Sequence, residues 1–247
     1  VMAQPGNTLL DLVRKLGLEG TSLQDRPLAA KIVGEVFTLN YIPVREKDVQ
    51  AEHPFIRRAM LASGGEIKLL RYSDALGKEC YIRTAQFVIF LALRRLWKSA
   101  RAKMNCTLGD SVYIQVNGAE DFSVSALKEE IRRVVAENIP LIRRRVPLEK
   151  AIAGFAADGQ PDKARLLKWR TVDYFDLYTY GDFGDYYYGE MLPSTSYVTV
   201  WDILPADGGF VFVYPDDTNP ETCAKVPSMP NFFSVFSEGE RWCTLME

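Results

Sequence analysis

Apolar residues recur along this chain in two rhythms, one near 3.6 and one near 2, and the switches between them mark out the elements. Leu9, Leu12, Val13 and Leu16 share one helical face; Thr8-Leu-Leu-Asp11 reads as a capping-box-like start and Gly17 as the stop. From Leu28 to Leu39 β-branched and aromatic residues flank Gly34-Glu35, which suits a hairpin or a bulged strand pair, and Ile67 to Tyr72 is a further strand candidate. The longest helical pattern runs from Lys78 to Ala102. It carries Ile82, Ala85, Ile89, Leu93, Leu96 and Trp97 at helical spacing and is apolar on all sides at its centre, so a buried helix is expected.

Beyond it, Met104 to Thr107 and Val112 to Val116 read as strands paired across a turn at Leu108-Gly-Asp110. Val124 to Asn138 reads as an amphipathic helix opened by Ser123 or Ser125. Leu141 to Val146 reads as a strand leading to Pro147, a favoured residue for the first turn of a helix. Glycine-punctuated, aromatic-rich strands fill Tyr174 to Tyr214, and no internal repeat is visible.

Composition adds constraints rather than an identity. With 47% hydrophobic and 12% aromatic residues in 247, a real core is expected. Thirty basic against 32 acidic residues argue against a polyanion binder held by bulk charge. Charge is unevenly placed, however. Thr171 to Ala224 holds no Lys or Arg, whereas Lys78 to Lys103 holds Lys78, Arg83, Arg94, Arg95, Lys98, Arg101 and Lys103 against Glu79 alone. The basic stretch is either a solvated face paired with acids elsewhere or a surface for phosphates. Cys80, Cys106, Cys223 and Cys243 form no Cys-x-x-Cys pair and His53 is the single histidine, which excludes a Cys/His zinc site and fits a reducing, cytoplasmic setting. The longest apolar run, Phe87 to Leu93, falls far short of the roughly 20 residues of a membrane helix. A soluble chain is expected.

One stretch carries a family resemblance. Gly181-Asp-Phe-Gly-Asp-Tyr-Tyr-Tyr-Gly-Glu-Met-Leu-Pro193 resembles the Asp-x-Cys-x-Gly-Pro-His strand and turn of the threonyl-tRNA synthetase editing domain. Asp185 and Gly189 are kept, Tyr187 stands at the Cys position and Met191 at the His position. The His-x-x-x-His of that domain's long helix falls on Arg83 or Thr84, then on Phe87 or Val88. None of these side chains is a general base near neutral pH. The resemblance therefore implies a retained scaffold with its deacylation chemistry erased, and it makes Arg83, Phe87, Asp185, Tyr187 and Met191 the candidate pocket-lining residues, with no catalytic residue. Tyrosines there could pack a former pocket or offer stacking faces to something planar.

The first 75 residues or so, with Thr8-Leu-Leu-Asp11 and Ala29-Ala-Lys-Ile-Val-Gly-Glu35, are similar to the TGS domain, a ubiquitin-like β-grasp fold. Almost the whole chain resembles the N-terminal half of bacterial uridine-kinase-like proteins. That likeness is carried by Tyr81-Ile-Arg-Thr84, Gly159-Gln-Pro-Asp-Lys163, Met191-Leu-Pro-Ser-Thr195 and Phe232-Phe-Ser-Val-Phe-Ser-Glu238 with Trp242. The implied fold class is α+β. A β-grasp, TGS-like module covers 1–76 with an insertion around 46–65, and an editing-like domain with an antiparallel sheet and a long central helix covers 77–247.

Other motifs fail on context. Asp182-Phe-Gly184 lacks the rest of a protein kinase's machinery, Gly77-Lys78 is followed by Glu79 rather than Ser or Thr, and no Gly-x-Ser-x-Gly elbow occurs. His53 reads as a solvated loop residue, and Arg143-Arg-Arg145 as alternating faces of a strand. The leading expectation is thus a non-catalytic regulatory, recruitment or assembly region of a nucleoside (uridine) kinase-like protein, whose ATP and Mg would be bound by a P-loop domain beyond Glu247. No cofactor or metal is expected within this chain. The expected partners are that kinase domain, a nucleoside or tRNA, and further copies of the chain, with no membrane. The alternative is a tRNA- or RNA-binding module of editing-domain descent.

Overall fold

Leu9–Lys15 forms the first helix, α1, because its start is chemically closed: the Thr8 hydroxyl accepts from the Asp11 amide while the Asp11 carboxylate accepts from the Thr8 amide. The computed structural model describes residues 6–43, 66–227, 238–239 and 242, and these divide into two units. The first comprises Val1–Pro140 with Glu190–Glu247, the second Leu141–Gly189. The expected insertion around 46–65, His53 with it, and most of the Phe232 to Glu238 string lie outside the described residues.

In the first unit α1 packs on a three-stranded antiparallel sheet of order β2-β1-β3, formed by Ala29–Ile32 (β1), Glu35–Thr38 (β2) and Ile67–Leu70 (β3). Leu9, Leu12, Ala30, Ile32, Phe37 and Leu39 make its core. The hairpin is where the pattern placed it, but its two-residue loop is Val33-Gly34, with φ of 48° and 91°. Two positive φ values are what a type I′ connection needs to match strand twist. Val33 is β-branched, so its backbone is strained there.

The basic, apolar-centred stretch forms α2, Ala75–Leu96, the longest described helix at 22 residues. Tyr81, Thr84, Ala85, Phe87, Val88 and Ile89 are all within 1% of full burial. It ends at Leu96 rather than continuing to Ala102. Arg101–Thr107 is instead β4, paired antiparallel with β5, Ser111–Asn117, with a register shift between Met104 and Cys106, so Arg101 and Lys103 are strand residues. The sheet continues as β4-β5-β10-β9, all antiparallel, with β9 Asp202–Ala206 and β10 Gly209–Val213. Helix α3, Val124–Ala136, packs beside α2 and is capped by the Ser123 hydroxyl on the Ala126 amide. Among the described residues no helix is long and apolar enough to cross a membrane.

The second unit is a three-stranded antiparallel sheet with two helices: β6 Arg143–Pro147, α4 Leu148–Ala157, α5 Pro161–Leu167, β7 Tyr174–Tyr180 and β8 Phe183–Asp185, in strand order β6-β7-β8. Pro147 closes β6 and stands at the N-cap of α4, one residue ahead of the first turn in which the sequence placed it. Ala151, Phe155, Ala164, Leu167 and Phe175 form its core. Both units are thus mixed α/β with antiparallel sheets.

Two glycine-linked positions test this geometry. A Cβ on Gly77 would sit 2.1 Å from the Arg71 carbonyl oxygen. Helix propensity favours Ala over Gly by about 1 kcal/mol, but a backbone atom cannot move aside, so Gly77→Ala is expected to lower unfolding stability in urea by about 1–3 kcal/mol. Val33→Asn replaces a strained, 45% exposed Val by a residue tolerant of positive φ. It is expected to raise stability by up to about 1 kcal/mol, read as a higher Tm; a lower Tm would contradict the turn assignment.

Candidate functional site

Helix α2 positions Arg83 and Phe87 one turn apart, and the segment Glu190 to Thr195 lies along it in the same unit. The two are tied by Thr84. Its hydroxyl donates to the Cys80 carbonyl at 2.8 Å and accepts from the Leu192 amide at 2.9 Å, with the side chain wholly buried. Arg83 Nε donates to the Glu190 carbonyl at 3.0 Å, and its guanidinium pairs with Glu79 at 3.2 Å. Phe87 and Met191 are both 0% exposed and Val88 1%, so apolar packing occupies the second helical histidine position of the editing motif and its turn histidine position, while the hydrogen-bonded Arg83 and Thr84 stand at the first. The rest of Met191-Leu-Pro-Ser-Thr195 is a structural clamp: the Pro193 carbonyl accepts from the Asn40 amide group at 2.7 Å, and the Thr195 hydroxyl bridges the Val134 carbonyl and the Ile139 amide.

Asp185 and Tyr187 belong to the second unit. Asp185 closes β8 opposite Tyr178 and is nearly buried; it accepts from Lys163 Nζ at 2.6 Å and from the Tyr186 amide at 2.8 Å. Lys163 lies over the rings of Phe155 and Tyr186 at 5.5 and 5.4 Å. The Tyr187 ring meets that of Tyr178 at 6.4 Å, and the Tyr178 hydroxyl donates to the Gly189 carbonyl. Gly189 has φ 119°, a backbone conformation that side-chain-bearing residues rarely adopt, which gives the retained glycine a conformational reason. Of the five candidates, three therefore sit in the first unit and two in the second.

Lys163 was not singled out as a site residue, although it lies in a quoted string. Its signal is the carboxylate it neutralises, and that appears only once α5 and β8 are packed together. Nearby nucleophile chemistry is weak. Burial pushes the Cys80 thiol up despite the Arg83 guanidinium beside it, and a thiol held protonated is inert. Burial likewise pushes the Tyr81 phenol up; its oxygen donates to the Val200 carbonyl and accepts from the Val200 amide. Among the described residues no group of three His, Cys, Asp or Glu could hold a metal ion.

The basic face suggested for phosphates is largely neutralised within the unit. Lys78 Nζ contacts Asp110 and Asp217, each at 2.6 Å, and although burial pulls its pKa down, these two hydrogen bonds outweigh it and the net shift is upward. Arg95 pairs with Glu130 and Glu137. Lys98, Arg101 and Lys103 are exposed. The solvated, internally paired reading of Lys78 to Lys103 is therefore the better one for its helical part.

No protein-family model matches the chain. It is similar to the threonine–tRNA ligase of Clostridium kluyveri, 25% identical over 214 residues, covering 85% of this chain and 30% of the ligase. The ligase of Symbiobacterium thermophilum is 25% identical over 209 residues (83% and 29%), and that of Syntrophomonas wolfei 23% over 150 residues (59% and 24%). The chain spans about 30% or less of the length of these relatives. The matches lend the nucleoside-kinase association no support and bear on the synthetase side of the resemblance. At 23–25% identity the chain is a distant homologue of the N-terminal region of threonyl-tRNA synthetases.

Proposed function

We propose that this chain is an RNA-recognition module of editing-domain descent, which binds tRNA without deacylating it. The observation that carries the reading is similarity to threonine–tRNA ligases along 85% of the chain, joined in the first unit to Arg83 or Thr84, Phe87 or Val88, and Met191 at the histidine positions of the editing motif, and in the second unit to Tyr187 at its cysteine position. Packing in place of a general base removes proton transfer while leaving the scaffold. The TGS-like assignment of 1–76, the editing-like assignment of 77–247 and the candidate roles of Arg83, Phe87 and Met191 in the first unit and of Asp185 and Tyr187 in the second are parts of this proposal. A role inside a nucleoside kinase rests on the quoted strings alone; it requires a Gly-x-x-x-x-Gly-Lys-Ser/Thr motif encoded downstream of Glu247.

Exposed Lys98, Arg101 and Lys103 supply phosphate contacts in this reading. Each phosphate contact made by a cation contributes about 0.7–0.9 to the slope of log affinity against log salt. The expected result is tRNA binding that weakens as salt rises from about 50 to about 200 mM, with no amino acid released from mischarged tRNA at high protein concentration. An absence of salt-dependent tRNA affinity would overturn RNA recognition. Release of amino acid would overturn the non-hydrolytic part.

A further inference from the structure

The second unit carries an aromatic side chain for which its own fold has no use. Trp169 is 83% exposed and Leu166, three residues earlier, is 66% exposed. They follow from how α5 is built: Ala164 and Leu167 face inward to Phe155 and Phe175, so Leu166 and Trp169 are left on the outer side. The Trp169 amide donates to the Leu166 carbonyl, which continues the helical path past Leu167 and holds the two side chains on one small outward tip.

The charge around this tip has one sign along the chain. From Lys163 to Val172 there are four cations and no acid. Lys163 turns inward to Asp185, whereas Arg165, Lys168 and Arg170 stay at the surface. Arg165 pairs with Asp162 across two largely exposed side chains, a contact that water and salt weaken. Arg170, next to Trp169 in sequence, lies over the Phe175 ring at 5.0 Å and is exposed like Lys168. An exposed indole flanked by cations is the combination that holds unpaired bases, the ring stacking on a base and the cations meeting the backbone on either side. An isolated convex Trp is too small to bury the area that a stable protein partner needs, and the adjoining charge favours an anionic ligand.

We propose that the Leu166–Trp169 tip, with Lys168 and Arg170, is a base-stacking contact for single-stranded RNA. This rests on the RNA-recognition reading above and names the part of RNA that would be held, an unpaired end or loop. The test uses the full chain and two labelled probes, a tRNA transcript and a single-stranded RNA of about a dozen nucleotides, followed by fluorescence anisotropy. Trp169→Ala is expected to weaken single-stranded RNA binding about tenfold with an unchanged Tm, while Trp169→Phe keeps most of the affinity because a stacking face remains. Binding of either RNA that is indifferent to Trp169→Ala would overturn the tip and leave RNA recognition standing. Trp169-dependent binding of the oligonucleotide with no tRNA affinity would support the tip and remove tRNA as the ligand. If neither RNA binds, both readings fall; in that case, self-association abolished by Trp169→Ala would reassign the patch to protein contact.

Discussion

A 22-residue helix buried around most of its circumference, with only the stripe of Ile82, Arg83, Gln86 and Phe90 half-buried in its middle turns, must be enclosed largely by its own chain, and in the first unit α2 imposes that condition on what surrounds it. Its polar groups are answered one by one: Lys78 by two carboxylates, Arg95 by two more, Thr84 by a backbone carbonyl and an amide, Tyr81 by both polar groups of Val200. A buried polar group without such an answer would cost about 1–3 kcal/mol. Enclosure by the four-stranded sheet, α3 and the Glu190 to Thr195 segment therefore requires both apolar fit and hydrogen-bond pairing.

That dual requirement bears on the candidate site. Of the two threonine positions that frame Met191-Leu-Pro-Ser-Thr195, Thr84 holds the segment's start to α2 and Thr195 holds its end to the carboxyl end of α3. The segment thus keeps its course while Phe87, Val88 and Met191 fill the space with carbon. The carbon packing does not depend on any charged group here, because the ties run through hydroxyl and main-chain groups.

How much of this was legible in the sequence differs by element. The start of α1, the Ala29 to Thr38 hairpin, the paired strands around Gly109 and the Ser123 cap follow local rules and were readable. The end of α2 was not, since no Gly or Pro marks it; pairing of Arg101 with Asn117 across the sheet sets it instead. The turn at Val33 was displaced from expectation because a β-branched residue at positive φ runs against propensity. The fate of the basic stretch was hidden for a different reason: Asp110 and Asp217 lie 32 and 139 residues from the lysine they neutralise. At the site, the retained Asp and Gly were visible as a motif, whereas the Lys163–Asp185 pair became visible only with α5 and β8 side by side.

The cation-free stretch from Thr171 to Ala224 supplies counter-charge to cations outside it: Asp176 answers Arg145, Asp185 answers Lys163, Asp202 answers Lys128 and Asp217 answers Lys78. Charges matched in this way largely cancel beyond a few ångströms, and the remaining net charge is only −2. Attraction at a distance is then a matter of local clusters of exposed cations, such as Arg165, Lys168 and Arg170, rather than of the chain's net charge. It acts over a short range, about 10 Å at 0.1 M salt, so the direction from which an anionic partner approaches decides whether it is felt at all.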